Sequence, residues 1–157
     1  MQVVEQLQRL SEERFLTIYT SLAQQGFGPL DAEVAKALHF RPQAIRNLPM
    51  AQRAKRARAI LISKKNNELC YELFGSYLIK ERRELVTAFL DATGVKHEAG
   101  MIEDLDHNVP TAAKLDAALA DLDKKFAPED VTLYLSMCAE QWPQVPELDA
   151  SWRKRAG

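Results

Sequence analysis

The best candidate for acid–base chemistry in this sequence is His97, which is followed by Glu98. The pair lies between Gly94 and Gly100, in a segment with the composition of the loops that often carry catalytic groups. A catalytic histidine needs a positioned partner and a surrounding pocket. The sequence offers no matching partner and no glycine-rich phosphate-binding pattern. We therefore expect no catalytic residue and predict that the protein is not an enzyme.

Candidate metal ligands are concentrated in the segment EDLDHN, residues 103–108. Counted as a calcium loop from Asp104, it places acceptors at the first, third and fifth positions. It then has Val109 where the loop requires glycine and Leu115 where it requires a bidentate glutamate. A di-iron bundle would need Glu-x-x-His pairs, and the glutamates of residues 68–84 have no histidine near them. We expect a polar loop here and no metal site.

The two cysteines, Cys70 and Cys138, lie within apolar helical patterns. Neither has the spacing of a zinc site, and a buried thiol behaves as a small hydrophobic residue. We predict that both are unpaired, that the protein carries no cofactor and that it is cytoplasmic. The amino-terminal segment lacks the features of a signal peptide, and no stretch approaches the ~18 apolar residues of a membrane helix.

A basic stretch is the clearest functional signal. The sequence RPQAIRNLPMAQRAKRARAILISKK, residues 41–65, has eight Lys or Arg and no Asp or Glu, although the whole chain has a net charge of -1. Such a cluster can neutralise several phosphates. A pI near 6.3 and the absence of aromatic residues from this stretch argue against a dedicated nucleic-acid-binding domain. The candidate residues for binding nucleic acid or another anion are Gln43, Arg46, Asn47, Arg53, Lys55, Arg56, Arg58, Lys64 and Lys65.

Part of this stretch belongs to a segment, residues 31–48, that resembles a DNA-binding helix-turn-helix in its residue pattern. Apolar residues at 34, 35 and 38 would pack the first helix, and those at 45 and 48 the second. The turn would have His39 where glycine is common, and Pro49 limits the second helix to about two turns. The outward side chains left to approach bases are those of Gln43, Arg46 and Asn47.

The elements that position these residues are helical. Several segments show 3.6-residue periodicity and none shows sustained alternation, which predicts an all-α fold, a single-domain bundle of six or seven helices. Ser11 before two glutamates predicts an N-cap, and Asp31 is expected to cap a short helix that ends at Leu38. Pro42 and Pro49 each begin a further helix.

A wide apolar face from Glu68 to Thr93 predicts one long central helix, about 39 Å in length at about 1.5 Å per residue. Gly94 is expected to end it. Its charged sequence KERRE, residues 80–84, is predicted to form a solvated face. The loop that follows is expected to be fixed by its isolated apolar residues, Met101, Ile102 and Leu105.

The carboxyl-terminal region is predicted to differ from the rest of the chain. A clear helical pattern in residues 131–142 is followed by Pro143 and Pro146, which favour polyproline II. We predict an all-α domain over residues 1–142 and a proline-containing arm over residues 143–157, with a frayed basic tip.

The charge is unevenly distributed along the chain and can serve a partner. Residues 98–130 contain nine Asp or Glu and three lysines, an excess that can pair with the basic stretch within the chain or across a homodimer. We predict a non-enzymatic helical interaction or regulatory module whose partner is another protein or a second copy, without membrane association. The alternative is a nucleic-acid-binding protein with a helix-turn-helix-like segment at 31–48 and a basic helix at 49–65.

Overall fold

The computed structural model describes residues 2–39 and 41–157, and it confirms the all-α prediction. These residues contain no β-strand, and their one β feature is an isolated bridge between Glu98 and Met101. A short 3-10 turn, Ala112–Lys114, precedes the eighth helix. The α-helices of the described residues are α1 (Gln2–Arg9), α2 (Glu12–Gln24), α3 (Pro29–Leu38), α4 (Pro42–Arg46), α5 (Met50–Ser63), α6 (Asn67–Glu81), α7 (Arg83–Thr93), α8 (Leu115–Lys125), α9 (Pro128–Gln141) and α10 (Pro146–Ala156).

The described residues gather into two compact units. Unit 1 consists of residues 3–77, and unit 2 consists of residue 2 with residues 78–157, so that the boundary falls within α6. The described helices outnumber the six or seven predicted, because α1 is separate from α2, α6 is separate from α7, and α10 is helical. The predicted division of the chain after residue 142 stays a prediction.

Unit 1 is built around α5, which packs against α2 and α3. The inward face of α5 is a narrow alanine-rich stripe, and Ala54, Ala57 and Leu61 are all buried. Alanine keeps the helix surfaces close, so that large side chains of α2 such as Phe15 and Ile18 fill the core. Burial of this apolar surface is the main contribution to stability, at about 25 cal/mol per Å² removed from water.

Two predicted helix starts in unit 1 have different outcomes. The N-cap prediction for Ser11 is confirmed, since its Oγ accepts the backbone N–H of Arg14 at 3.1 Å. The N-cap prediction for Asp31 is wrong. Helix α3 begins at Pro29, and Asp31 lies in its first turn with a buried carboxylate. Proline is well suited to the first helical position, which starts the helix earlier and leaves Asp31 to form tertiary contacts.

The core of unit 2 lies along α9, which packs against α8 and α10, while α7 packs against α8. Trp142 and Trp152 are fully buried, and the rings of Phe89 and Tyr134 meet edge to face with centroids 5.3 Å apart. Cys138 is a free buried thiol of this core, and burial raises its pKa. Cys70, in unit 1, is also buried and forms no disulfide, as predicted.

The predicted continuous helix from 68 to 93 is interrupted at Arg82. This residue leaves helical geometry, with φ -135° and ψ 35°, between α6 and α7. Its Nε donates to Oδ2 of Asp130 at 2.9 Å, and the Asp130 side chain is 2% exposed. Because a buried carboxylate requires a partner, this ion pair outweighs the local helix propensity. Residues 80–84 are therefore not a uniformly solvated face. Gly94 does end α7, at φ 77°.

The polyproline prediction is wrong from Pro146 onward, where α10 begins. Proline occupies the first turn, acids follow it, and three bases lie in the last turn, an order that complements the helix dipole. The basic tip is held in place, since Arg155 binds Asp123 through two hydrogen bonds of 2.8 and 2.7 Å. In the described ranges, no helix has both the length and the apolar character needed to cross a membrane.

Candidate functional site

Arg53, a candidate anion contact, uses its charge inside unit 1. Its Nη2 donates to Oδ2 of Asp31 at 2.7 Å, and the two side chains are 12% and 4% exposed. Oδ1 of the same carboxylate accepts the hydroxyl of Tyr19 at 2.5 Å. Burial raises the pKa of Tyr19 well above its usual value, and the hydrogen bond to Asp31 adds to that shift. The guanidinium carbon lies 5.6 Å from the centre of the Tyr19 ring, which adds a cation–π contact.

Arg58, a second candidate, caps the carboxyl-terminal end of α1. Its Nη2 lies 3.3 Å from the carbonyl oxygen of Leu7, 3.4 Å from that of Gln8 and 3.1 Å from that of Leu10. The last carbonyls of a helix lack partners within the helix and carry partial negative charge, so that a guanidinium satisfies both needs. The charge of Arg58, like that of Arg53, is therefore engaged within unit 1.

The helical spacing of α5 explains why these two arginines are turned inward. At about 100° per residue, residues 53 and 58 each lie about 70° from the centre of the stripe formed by Ala54, Ala57 and Leu61. Lys55 and Arg56 lie about 130° from it and are exposed. The helical spacing therefore distinguishes bases that flank the buried stripe from bases on the outer face of α5. This distinction was not used in selecting the candidates.

The remaining candidates are exposed. Within the described residues, no hydrogen bond or ion pair engages the charged groups of Arg46, Lys55, Arg56, Lys64 and Lys65. Gln43 donates from Nε2 to Oδ1 of Asn47 at 3.1 Å, so these two candidates bind each other. A solvated basic surface consequently remains on α4, the outer face of α5 and the residues just after it.

The helix-turn-helix-like segment has a short second helix. His39 ends α3 in the left-handed conformation, at φ 57° and ψ 33°, which is the backbone geometry that such a turn uses. The predicted turn residue Phe40 lies outside the described residues. Helix α4 packs against α3 but has five residues, about 7.5 Å in length, so it is shorter than the predicted two turns. Base contact by its outward side chains stays a prediction.

A cleft of about 450 Å³ lies between α2 and α5 on unit 1. Its lining is mostly apolar, with the buried Phe15 and Ala54 on its floor and the half-buried Leu16 beside them. Glutamates border the cleft on α2, while bases border it on α5. The full lining is Glu12, Glu13, Phe15, Leu16, Ala51, Ala54, Lys55, Arg58 and Ala59.

The two helices that form this cleft, the α2–α5 cleft, run in opposite directions. Arg58 reaches the chain just before α2, whereas Arg53, earlier in α5, reaches Tyr19 in the second half of α2. The α5 side consists of residues 51, 54, 55, 58 and 59, the spacing of one helical face. Sequence reasoning missed this surface because Ala51 and Ala59 look like part of a basic helix. No local pattern identifies the opposite wall on α2.

A second cleft, of about 460 Å³, lies in the loop between α7 and α8 of unit 2 and includes His97. The sequence candidate for acid–base chemistry is thus in a concave site. Its lining presents both polar and apolar surface and is formed by Lys96, His97, Glu98, Met101, Glu103, Asp104, His107 and Asn108. Of the three apolar residues expected to fix this loop, Met101 is 63% exposed and Leu105 is 39% exposed, so their side chains do not anchor it, whereas Ile102 is half-buried.

Both ring nitrogens of His97 are engaged. Nδ1 accepts the backbone N–H of Gly100 at 3.1 Å, which places the ring proton on Nε2. Nε2 lies 2.6 Å from Oδ1 of Asp91, a carboxylate that is 73% exposed to water. In this arrangement the imidazole connects the last turn of α7 to the loop and has no free nitrogen to accept a substrate proton.

In the part of the chain that the structure describes, no three His, Cys, Asp or Glu side chains are gathered in a way that would hold a metal ion. Comparisons with models of known protein families, with curated proteins and with solved structures find no match to this chain.

Proposed function

We propose that the protein is a non-enzymatic helical interaction module that binds a protein partner through the α2–α5 cleft. The observation that carries the proposal is the combination of an apolar floor with borders of opposite charge. Protein interfaces combine a desolvated apolar centre with a polar rim in this way. Small side chains along α5 add to the argument, since they let another backbone approach closely.

Two further observations support an interaction role over catalysis. The imidazole of His97 is held at both nitrogens, and the two thiols are buried away from any substrate. Cysteines without a disulfide also agree with a reducing compartment, which is why the proposal includes the cytoplasm. A regulatory role would follow if occupation of the cleft changes with the state of the partner.

The test begins with a photo-crosslinking amino acid placed at Ala51 in the cleft and, as a control, at the exposed Ala32 on α3. A protein that crosslinks from position 51 and not from position 32 is then purified and titrated with the unlabelled chain. We expect Ala59→Gln, which fills the cleft with a larger polar side chain, to weaken binding at least about tenfold. Ala32→Gln should leave the affinity unchanged. Equal affinities for the two variants would refute the cleft as the binding site.

A second copy is the alternative protein partner. The acidic residues of 98–130 are largely exposed, and so are four bases on or after α5, so that two chains have complementary surfaces. Sedimentation at low and high salt tests this. A charge-paired dimer dissociates as salt rises, whereas an unchanged mass excludes it.

Nucleic-acid binding is the second candidate function, because Lys55, Arg56, Lys64 and Lys65 are exposed with no partner among the described residues. Anisotropy of labelled duplex and single-stranded oligonucleotides, at low and near-physiological salt, tests it. Four phosphate contacts on duplex DNA would give a slope of log K against log salt of about -3.6. Replacing all four bases with alanine should flatten that slope. Binding with an unchanged slope, or none at low salt, would reject this function.

A further inference from the structure

We infer that the occupant of the α2–α5 cleft is a single amphipathic helix of the partner, with acidic side chains on one edge of its apolar face and basic side chains on the other. This inference rests on the proposed function and adds the chemistry of the partner. It follows from the length of the cleft, the kind of groups that line it and the position of its charges.

The length of the cleft fits two turns of helix. Its α5 side extends from Ala51 to Ala59, which is about 12 Å at about 1.5 Å per residue. A helix of that length presents three or four apolar side chains at i, i+3, i+4 and i+7 to one surface. A cleft of about 450 Å³ holds side chains of that number and size.

The groups that line the cleft favour a helix over an extended segment. Both walls are helices whose interior backbone groups are bonded within the helix, so they offer no free N–H or C=O row for a strand to pair with. An extended segment would leave its own backbone groups unpaired against the apolar floor. A helix satisfies those groups internally and brings only side chains to the cleft.

The charges at the borders specify the edges of that helix. Glu12 and Glu13 are exposed at the start of α2, and Lys55 is exposed on α5. Arg58 is committed to the carbonyls at the end of α1, which leaves Lys55 as the cation available on that side of the lining. Acids of the partner then face Lys55, and bases face Glu12 and Glu13. A phosphate backbone in the cleft would meet both glutamates and is disfavoured.

The experiment uses two fluorescein-labelled helical peptides with the same leucine stripe. One, the mixed peptide, has Glu along one edge of the stripe and Lys along the other; the second, the basic peptide, has Lys along both. A helix can lie in the cleft in either direction, so a peptide with its Glu and Lys edges exchanged could still match the border charges. The two peptides therefore differ in total charge instead. We expect the full chain to bind the mixed peptide about tenfold more tightly than the basic one at low salt.

The decisive variant is Lys55→Glu, which makes every available border charge of the cleft negative. We expect it to reverse the preference, so that the basic peptide binds more tightly. Lys36→Glu, the same change at an exposed position on α3, should leave the preference intact, and Ala59→Gln should weaken both peptides. A preference that Lys55→Glu does not alter, or binding of neither peptide, overturns the inference.

Failure of this inference is distinguishable from failure of the proposed function. If a crosslinked partner binds in a manner sensitive to Ala59→Gln but neither peptide binds, the cleft is an interaction site for something other than such a helix. If an oligonucleotide or a second copy of the chain displaces the peptides, and Ala59→Gln weakens that competitor, the helix assignment is likewise overturned.

Discussion

Arg53 and Asp31 form a buried ion pair that joins α5 to α3, with 2.7 Å between Nη2 and Oδ2. Three residues further along α5, Arg56 is exposed and has no partner among the described residues. The same residue type in the same helix therefore serves two purposes, one internal and one at the surface. A substitution test of anion binding that includes Arg53 or Arg58 would disturb the fold together with the surface.

The first prediction concerns stability. Arg53→Ala leaves the Asp31 carboxylate buried without its cation, and we expect it to lower the free energy of unfolding by about 3 kcal/mol. Arg56→Ala, the matched control, should change it by no more than about 0.5 kcal/mol. Urea denaturation followed by far-ultraviolet circular dichroism measures both, and hydrogen exchange in α2 and α3 localises the effect. Equal effects of the two substitutions would disprove the internal role of Arg53.

The second prediction concerns the end of α1. Arg58→Ala removes the cation from the carbonyls of Leu7, Gln8 and Leu10, and we expect a loss of about 2 kcal/mol. Arg58→Lys keeps the charge without the planar group and should lose less. Faster amide exchange in residues 3–10 for Arg58→Ala, with little change for Arg56→Ala, is the expected signature. Unchanged exchange there would mean that the cap does not hold the helix end.

The fold class and several helix ends followed from the sequence because they depend on local chemistry. Ser11 caps α2, Gly94 ends α7 in a left-handed conformation, and the alanine stripe of α5 is buried. The prediction for α10 was wrong because the two prolines were given more weight than the charges that favour a helix. Its sequence carries proline at the start, acids in the first turn and bases in the last, but the two prolines were interpreted as an extended arm.

Other features could not be derived from local patterns. No proline or glycine marks the interruption of the helix at Arg82. Arg82 instead binds the carboxylate of Asp130, which is 48 positions away in sequence and could not be paired with it from local patterns. The α2–α5 cleft likewise could not be derived without knowing that the first turns of α2 lie beside residues 51–59 of α5. The exposure of the individual bases of α5, in contrast, could have been predicted from their helical spacing.

The third prediction concerns acid stability. The hydrogen bonds from Arg155 lower the pKa of Asp123 below its ordinary value. A carboxylate with a lowered pKa in the folded state stabilises that state above its unfolded pKa, and the contribution disappears as pH falls through the folded pKa. We expect Asp123→Asn to cost about 1 kcal/mol at neutral pH and progressively less as the pH falls below the ordinary pKa of an aspartate.

Tryptophan fluorescence is the appropriate probe for this prediction, because Trp142 and Trp152 are both buried in unit 2, where the ion pair lies. Urea midpoints are compared across the pH range for the parent chain, Asp123→Asn and the control Asp121→Asn, an exposed position on the same helix. The difference between the parent and Asp123→Asn should shrink on acidification. A difference independent of pH would assign the effect to packing and not to charge.

The last prediction concerns the loop that holds His97. Asn108 binds both backbone groups of Lys96, accepting its N–H at 2.9 Å and donating to its carbonyl at 2.6 Å. Met101 and Leu105 are exposed, so these polar contacts, together with the 3.2 Å hydrogen bond from Trp142 to the Leu105 carbonyl, contribute to holding the loop. We expect Asn108→Ala to lower local stability by about 1 kcal/mol and to speed amide exchange and proteolysis within residues 95–110. Asp106→Ala, an exposed change in the same loop, should do neither. If the two variants are cleaved at the same rate as the parent, the side chain of Asn108 does not hold the loop, and its geometry comes from other contacts, such as the backbone bridge between Glu98 and Met101.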